Sequence, residues 1–441
     1  MKTMKKPTTI MFLALIPFMG LFGQNKQWAL DNAEKKATIE ALCENLDREY
    51  IFPDITGEYI RMLKDNLQSG KYDSLRQPQD FARAITDDLM AIHRDLHLFV
   101  RFNPDWVKNE RGRKELDEAA TLLQKRQERN ANYGFQEIKI MPGNIGYFKF
   151  DEFSYNTDAA AAAVGAMGFL SNADALIIDL RNNGGGSPEM VQFLCSYFLS
   201  NPTQHLNSFC YKDREKLTQY WTYTYLPGKR LDKADLYILT SGRTFSAAEE
   251  FTYNLKNMKR ALVIGETTGG GAHDNKFVIL TDHFMMSLPF ARAINPITKT
   301  NWEEVGVEPD VKVPQTRALD MALAMAAKKL AENEIDPQFK PYYTWYSEGY
   351  QSTLKPVTIE VKKLRSYAGT FGPRMITFED GSLFYQRQGR PKFKMEPMSE
   401  DYFRLAGADN FRLKFVKKGD RVTAVEAYDM NGFVDNYPKG N

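Results

Sequence analysis

The chain has 441 residues, 43% of them hydrophobic, enough for a sizeable core and long enough for two or three domains. Its 58 basic and 56 acidic residues nearly cancel and form no basic stripe, which excludes a nucleic-acid or anionic-membrane binder that works by charge. Three cysteines exclude a disulfide framework.

The first residues, "MKTMKKPTTIMFLALIPFMGLFGQ", have a basic start, an apolar stretch from Ile10 to Phe22 and small residues near its end. This is the layout of a secretory signal over residues 1–23, cleaved near Gly23. The stretch is short for a bilayer span and contains Pro17, so export to a periplasm or the exterior is expected, with no integral membrane segment after cleavage. No cysteine adjoins the leader to accept a lipid.

Residues 28–103 carry apolar positions at helical spacing, as in "ATIEALCENLDREYIF" and "DFARAITDDLMAIHRDL", and predict a helical domain. Residues 104–132 are charge-rich and read as a solvated helical connector. From 133 to 333 strand-like runs ("NIGYFKF", "ALIIDL", "LYILT", "ALVIG", "KFVILT") alternate with helical ones ("DAAAAAVGAMGFL", "SPEMVQFLCSYFL", "SAAEEFTYNLKN"). Alternation of this kind predicts an α/β core of βαβ units with a partly parallel sheet, whose sites form at the carboxyl ends of strands. Cys195, in "VQFLCSYFL", reads as a core thiol, with a Cys195–Cys210 bridge left open. Residues 334–356 read as a linker rich in Pro and aromatics, and residues 357–441 as a small antiparallel β domain with hairpin turns at "EDGS" and "KGDR".

Two loops fall at the expected strand ends. In "DLRNNGGGS", 179–187, three glycines can present N–H groups at close range, as a phosphate cradle, an oxyanion hole or a plain turn. The segment lacks the P-loop ending and the dinucleotide spacing. In "SGRTFSAAEE", 241–250, Ser246 stands where a buried strand becomes a helix. With Glu249 three residues on, Ser246 can cap that helix in a capping box, and pattern alone favours this over catalysis. As a nucleophile it needs a base, and the histidines are His93, His97, His205, His273 and His283. "HRDLH" sets His93 and His97 four apart, the spacing of two zinc ligands on one helix face, but Arg94 stands where a zincin carries glutamate.

Taken together and in order, "ALIIDLRNNGGG", "LYILTSGRTFSAAEEF", "VIGETTGGGAH" and "TNWEEVGVEPDV" resemble the tail-specific protease family, which includes carboxyl-terminal processing proteases, the tricorn core and interphotoreceptor retinoid-binding protein. The resemblance implies a crotonase-like α/β protease core. In the processing-protease branch a downstream lysine activates the serine; here Gly271 holds that place. The tricorn-like branch takes its base from a D-x-H motif, matched by Asp95, Leu96 and His97, and a glutamate from W-E-x-x-G-V, matched by Trp302, Glu303, Gly306 and Val307. The implied constellation is Ser246, His97 and Glu303, with the N–H groups of Ala247 and Gly185 as the oxyanion hole and His273 as an alternative base or substrate contact. No metal or cofactor is implied. Residues 103–133 leave no room for a PDZ module. The expected activity is an exported serine peptidase acting on peptides or unfolded protein segments. Two rivals are a catalytically silent binder of an apolar ligand and a zinc hydrolase using His93 and His97.

Overall fold

The structure is a computed structural model that describes residues 30–112, 118–200, 202–213 and 216–440, so the expected secretory leader lies outside the described residues. Three helices come first among the described residues, α1 (Asn32–Glu49), α2 (Pro53–Gln68) and α3 (Pro78–Ile92), followed by strand β1 (Phe99–Phe102). Asp31 caps α1 by accepting from Glu34 N–H at 2.8 Å, and α2 and α3 each start on a proline whose missing N–H costs nothing there. Their apolar faces do not close on one another alone: Leu42, Leu46, Phe81 and Ile85 share one core with Phe284, Met286 and Leu288 of a later strand.

After α4 (Pro104–Gly112) and α5 (Glu118–Asn130) come β2 (Phe135–Met141), β3 (Ile145–Phe150), α6 (Ala159–Phe169), β4 (Ala175–Asp179), α7 (Pro188–Phe198), β5 (His205–Tyr211) and β6 (Leu217–Trp221). The core continues through β7 (Asp235–Thr240), α8 (Ala247–Asn257), β8 (Ala261–Gly265), β9 (His273–Ile279), β10 (Phe284–Ile294), β11 (Val311–Lys312) and α9 (Gln315–Asn333).

Two sheets form from these strands. One runs β11-β8-β7-β4-β3-β2, parallel except for β2, which pairs antiparallel with β3. Helices cover both of its faces, which is why "ALIID" of β4 is buried at every position. The other is antiparallel and is built on the long β10, which pairs with β1, β9 and β5, while β5 pairs with β6. "KFVILT" thus belongs to this second sheet and not to the parallel one. Cys195 and Cys210 are separate buried thiols, so the bridge left open by the sequence is not formed.

The segment read as a linker contains a helix, α10 (Lys340–Leu354), and α11 (Val361–Tyr367) precedes eight consecutive antiparallel strands from β12 (Gly369–Phe371) to β19 (Val434–Pro438). Phe371 bridges Lys439 and Gly440 N–H donates to Thr370 O at 2.8 Å, so the first and last strands meet and close a small barrel. Tyr367, Phe371, Phe403, Leu413, Phe415 and Val425 fill its interior.

Candidate active site

The carboxyl ends of β4 and β7 carry the two glycine- and serine-containing loops, and hydrogen bonds lash them together. Thr244 Oγ1 donates to Leu180 O at 2.8 Å, Ser241 Oγ to Arg181 O at 2.5 Å and Phe245 N–H to Asn183 O at 3.1 Å. The tie forces the chain through a sharp turn at Ser246, where φ is +53° and ψ is −120°. An ordinary N-cap residue is extended at negative φ, so this is not cap geometry. A non-glycine residue held there costs on the order of 1–3 kcal/mol and persists only where its surroundings over-determine it.

Glu249 supplies that determination. Its buried carboxylate accepts from Ser246 N–H at 2.9 Å, Gly270 N–H at 2.7 Å, Gly271 N–H at 2.9 Å and Thr268 Oγ1 at 2.5 Å. Burial pushes it up to about 7, against the pull of these four donors. The capping-box glutamate read from the sequence is therefore real, and it braces the turn while the Ser246 hydroxyl faces elsewhere.

Ser246 Oγ lies 3.3 Å from His97 Nε2. Helix α3 ends at Ile92, with His93 at its C-cap at φ −144°, so His93 and His97 do not share a helix face and the zinc spacing does not survive folding. His97 is instead presented by a turn built on Asp95, a wholly buried residue whose carboxylate accepts from His97 N–H at 3.0 Å, Tyr50 Oη at 3.1 Å and His273 Nδ1 at 2.9 Å. The His97 ring stacks on Phe245, centroids 4.8 Å apart. Burial lowers its pKa to about 4 although the Asp95 charge works the other way, so the ring is neutral at pH 7 and its Nε2 can take a proton.

Glu303 does not contact the His97 ring directly. Its Oε2 accepts from Ala272 N–H at 2.5 Å and lies 3.7 Å from His273 Nδ1, and burial pushes it up to about 7. His97 Nδ1 and Glu303 Oε1 are both buried without a hydrogen-bond partner. Burial works to lower the His273 pKa, but the hydrogen bond and charge of Asp95 and the charge of Glu303 raise it overall. Its Nδ1 is thus committed to carboxylates and no contact joins it to Ser246. The only three acid or histidine ligand atoms grouped tightly enough for a metal among the described residues belong to Asp95, His273 and Glu303, and they are engaged with one another.

Ala247 N–H, next to the serine, has no partner among the described residues. Gly185 gives its N–H to Asn183 Oδ1 at 2.9 Å, which departs from the second oxyanion donor expected of it. What the position requires is the absence of a side chain: a Cβ there would lie 2.7 Å from that of Ser246. Sequence reasoning missed the Asp95–His273 pair and the wider bracing role of Glu249, although D-x-H and S-x-x-E were both visible.

Residues 144–313 match the sequence model of Peptidase family S41. Carboxyl-terminal-processing peptidase 2, chloroplastic, of Arabidopsis thaliana is 30% identical over 173 residues, 39% of this chain and 32% of that protein. The carboxyl-terminal-processing protease of a Picosynechococcus species is 27% identical over 173 residues, 39% of each chain. The chain therefore spans less than two fifths of the length of these curated relatives. Among solved structures, a photosystem II D1 C-terminal processing protease is 18% identical with a TM-score of 0.42, covering 64% of this chain and 94% of that one.

Proposed function

We propose, from the match of residues 144–313 to the sequence model of peptidase family S41, that the protein is a serine peptidase in which Ser246 is the nucleophile and His97 its base. One observation carries the reading: a strained serine turn at the end of a parallel strand aims its hydroxyl at a buried, neutral imidazole 3.3 Å away. Ser246 Oγ attacks the peptide carbonyl as its proton passes to His97 Nε2, and the carbonyl oxygen takes up negative charge. Ala247 N–H stabilises that charge, a contact worth about 3 kcal/mol of barrier in comparable sites. His97 returns the proton to the leaving amine, and water then hydrolyses the acyl-serine by the same steps in reverse order.

Glu303 and His273 act at one remove. Together with Asp95 they form a buried charged group that holds the 95–97 turn against the 270–272 loop, and so fix where the imidazole stands. The substrates are peptides or unfolded protein segments, which can reach a serine recessed between two sheets, and the protein works after export. A silent binder of apolar ligands would not need a neutral histidine set against a strained serine.

The test is labelling with a fluorophosphonate. The native protein is labelled, Ser246→Ala is not, His97→Ala loses labelling by orders of magnitude, and a chelator changes nothing. A folded protein that is never labelled, or whose labelling survives Ser246→Ala, rules the reading out.

A further inference from the structure

A cavity of about 1220 Å³ lies between the core, α10 and the barrel and takes no part in the chemistry above. Its core side includes Asn144 and Asp174, which precede β3 and β4, so it sits at the amino ends of the parallel strands while Ser246 follows the carboxyl end of β7. Helix α10 and its N-cap contribute Phe339, Tyr342, Tyr343 and Trp345. The barrel contributes Tyr402 from β16 (Tyr402–Leu405) and Tyr428 from β18 (Arg421–Asp429).

These rings are set in rows. Phe339, Tyr342 and Trp345 recur every three residues and so follow one another along a helix face. Tyr342 meets Tyr343 edge-on at 5.2 Å and Tyr346 at 5.1 Å, and Tyr402 meets Tyr428 edge-on at 5.9 Å. Trp345 is held rigidly: its Nε1 donates to Asp409 O at 2.7 Å and the Arg412 guanidinium lies 3.8 Å over its ring. Yet no residue of α10 is fully buried, and Phe339 and Val434, which also line the cavity, are 58% and 49% exposed. Contiguous apolar surface left open at a junction between domains, with a few polar groups converging on it, is the character of a binding site.

The polar lining has a sign. Asp174, Glu348 and Asp429 line the cavity against one cation, Lys340. Glu348 Oε2 pairs with Arg412 at 2.7 Å, behind the cavity wall. Asp429 Oδ1 accepts from Asn431 N–H at 2.9 Å and Phe433 N–H at 3.1 Å, and Asp174 Oδ2 accepts from Asn144 Nδ2 at 2.6 Å and Tyr343 Oη at 2.7 Å. Among the described residues each carboxylate thus keeps its other oxygen free of hydrogen bonds.

We propose that this groove receives an extended, proline-containing segment of an unfolded polypeptide that carries a lysine or arginine beside its prolines. Polyproline II backbone has three residues per turn and no internal hydrogen bonds, so prolines along one edge pack against a row of rings, and little order is lost because the conformation is preformed. The basic residue answers the free carboxylate oxygens and is drawn to the ring faces as well. A neutral oligosaccharide would stack on the rings but leave the acidic lining without a counter-charge. The inference rests on the peptidase reading only in taking the segment to be part of a substrate, gripped at one edge of the sheet while another part is cut at the other.

The probes are fluorescent peptides of about ten residues, roughly 30 Å long as polyproline II. One has proline at every third position and a terminal arginine, a second has glycine for each proline, and a third has glutamate for the arginine. Titrated into Ser246→Ala protein and followed by anisotropy, the first binds about tenfold or more tightly than either of the others. Phe339→Ala and Tyr342→Ala, at positions the fold does not bury, each weaken it about tenfold, and Asp429→Asn narrows the gap between the arginine and glutamate peptides. Equal binding of the proline and glycine peptides, binding unchanged in both ring variants, or tighter binding of a chito-oligosaccharide than of the first peptide overturns the proposal. In native protein, joining the first segment to a short cleavable peptide through a Gly/Ser linker of about forty residues, with an r.m.s. span of about 35 Å, lowers KM about tenfold at unchanged kcat. An unchanged KM overturns the groove as a substrate site. Binding by protein that turns over no peptide and never reacts with the fluorophosphonate upholds the groove and removes the peptidase reading alone.

Discussion

Gly271 decides which base this site can use. A Cβ at that position would sit 2.3 Å from Phe245 Cζ and 2.6 Å from His97 Cε1, so no side chain fits while the imidazole is in place. A lysine there and His97 are mutually exclusive on steric grounds, a stronger statement than the motif comparison allowed. Gly271→Ala should displace His97 from Ser246 and lower kcat/KM by about 100-fold, the cost typical of an ångström of misplacement. Steady-state kinetics beside circular dichroism would separate this from unfolding. The pH profile follows from burial. His97 acts as a base only when neutral, and with its pKa lowered to about 4 its own titration should cut the rate only as pH drops through about 4. An acid limb near 6.5 in kcat/KM that persists in Glu249→Gln and Glu303→Gln protein, whose carboxyls are themselves pushed up to about 7, would show an ordinary, solvated histidine instead. That Ser246 and His97 meet, with Glu303 against the neighbouring loop, was legible because ordered motifs carry all three. The helix-face reading of His93 and His97 failed because the Asp95 turn ends the helical spacing at Ile92, and spacing cannot report such a stop.

The W-E-x-x-G-V element works as a clamp on the loop that meets the serine and the base. Trp302 Nε1 donates to Gly271 O at 2.8 Å, Glu304 N–H to Gly270 O at 2.9 Å and Val307 N–H to Thr268 Oγ1 at 2.6 Å. Gly306, at φ +70°, passes so near that a Cβ would lie 2.4 Å from Thr268 O. Trp302 is buried against Tyr253 at a centroid distance of 5.3 Å. Trp302→Ala should cost about 3–5 kcal/mol of stability in urea unfolding, the range for removing a buried tryptophan. Glu249→Gln tests the other side of the same loop. Three of its four partners are backbone donors, so an amide NH2 would face a donor, and a loss of about 1–3 kcal/mol with a lower kcat is expected. The sequence displayed both motifs but not that they grip one loop, since the grip runs through backbone atoms that any residue type provides.

At the scale of the whole molecule, α10 joins the core to the barrel. Tyr350 Oη donates to Pro142 O at 2.9 Å and Tyr343 Oη to Asp174 Oδ2 at 2.7 Å on the core side. On the barrel side the Arg412 guanidinium, 2% exposed as a residue, lies 3.8 Å over the Trp345 ring and pairs with Glu348 at 2.7 Å. Arg412→Ala should loosen the barrel, giving an earlier melting step in calorimetry and faster proteinase K cleavage between 354 and 361, with peptide turnover unchanged. The alternation of strand and helix made the α/β core and the β-rich end readable from composition and period. Helix α10 was not readable because it has no fully buried residue, and a helix without a buried stripe leaves no 3.6-residue pattern.

The order in which these parts leave the ribosome has its own consequence. The turn bearing His97 emerges early, Ser246 about a third of the chain later, and the loop held by Trp302 and Glu303 is secured only after both. Long-range contacts of this kind form late in folding. A nascent chain shorter than the clamp carries a serine and a histidine but no assembled site, and so emerges unable to cut itself.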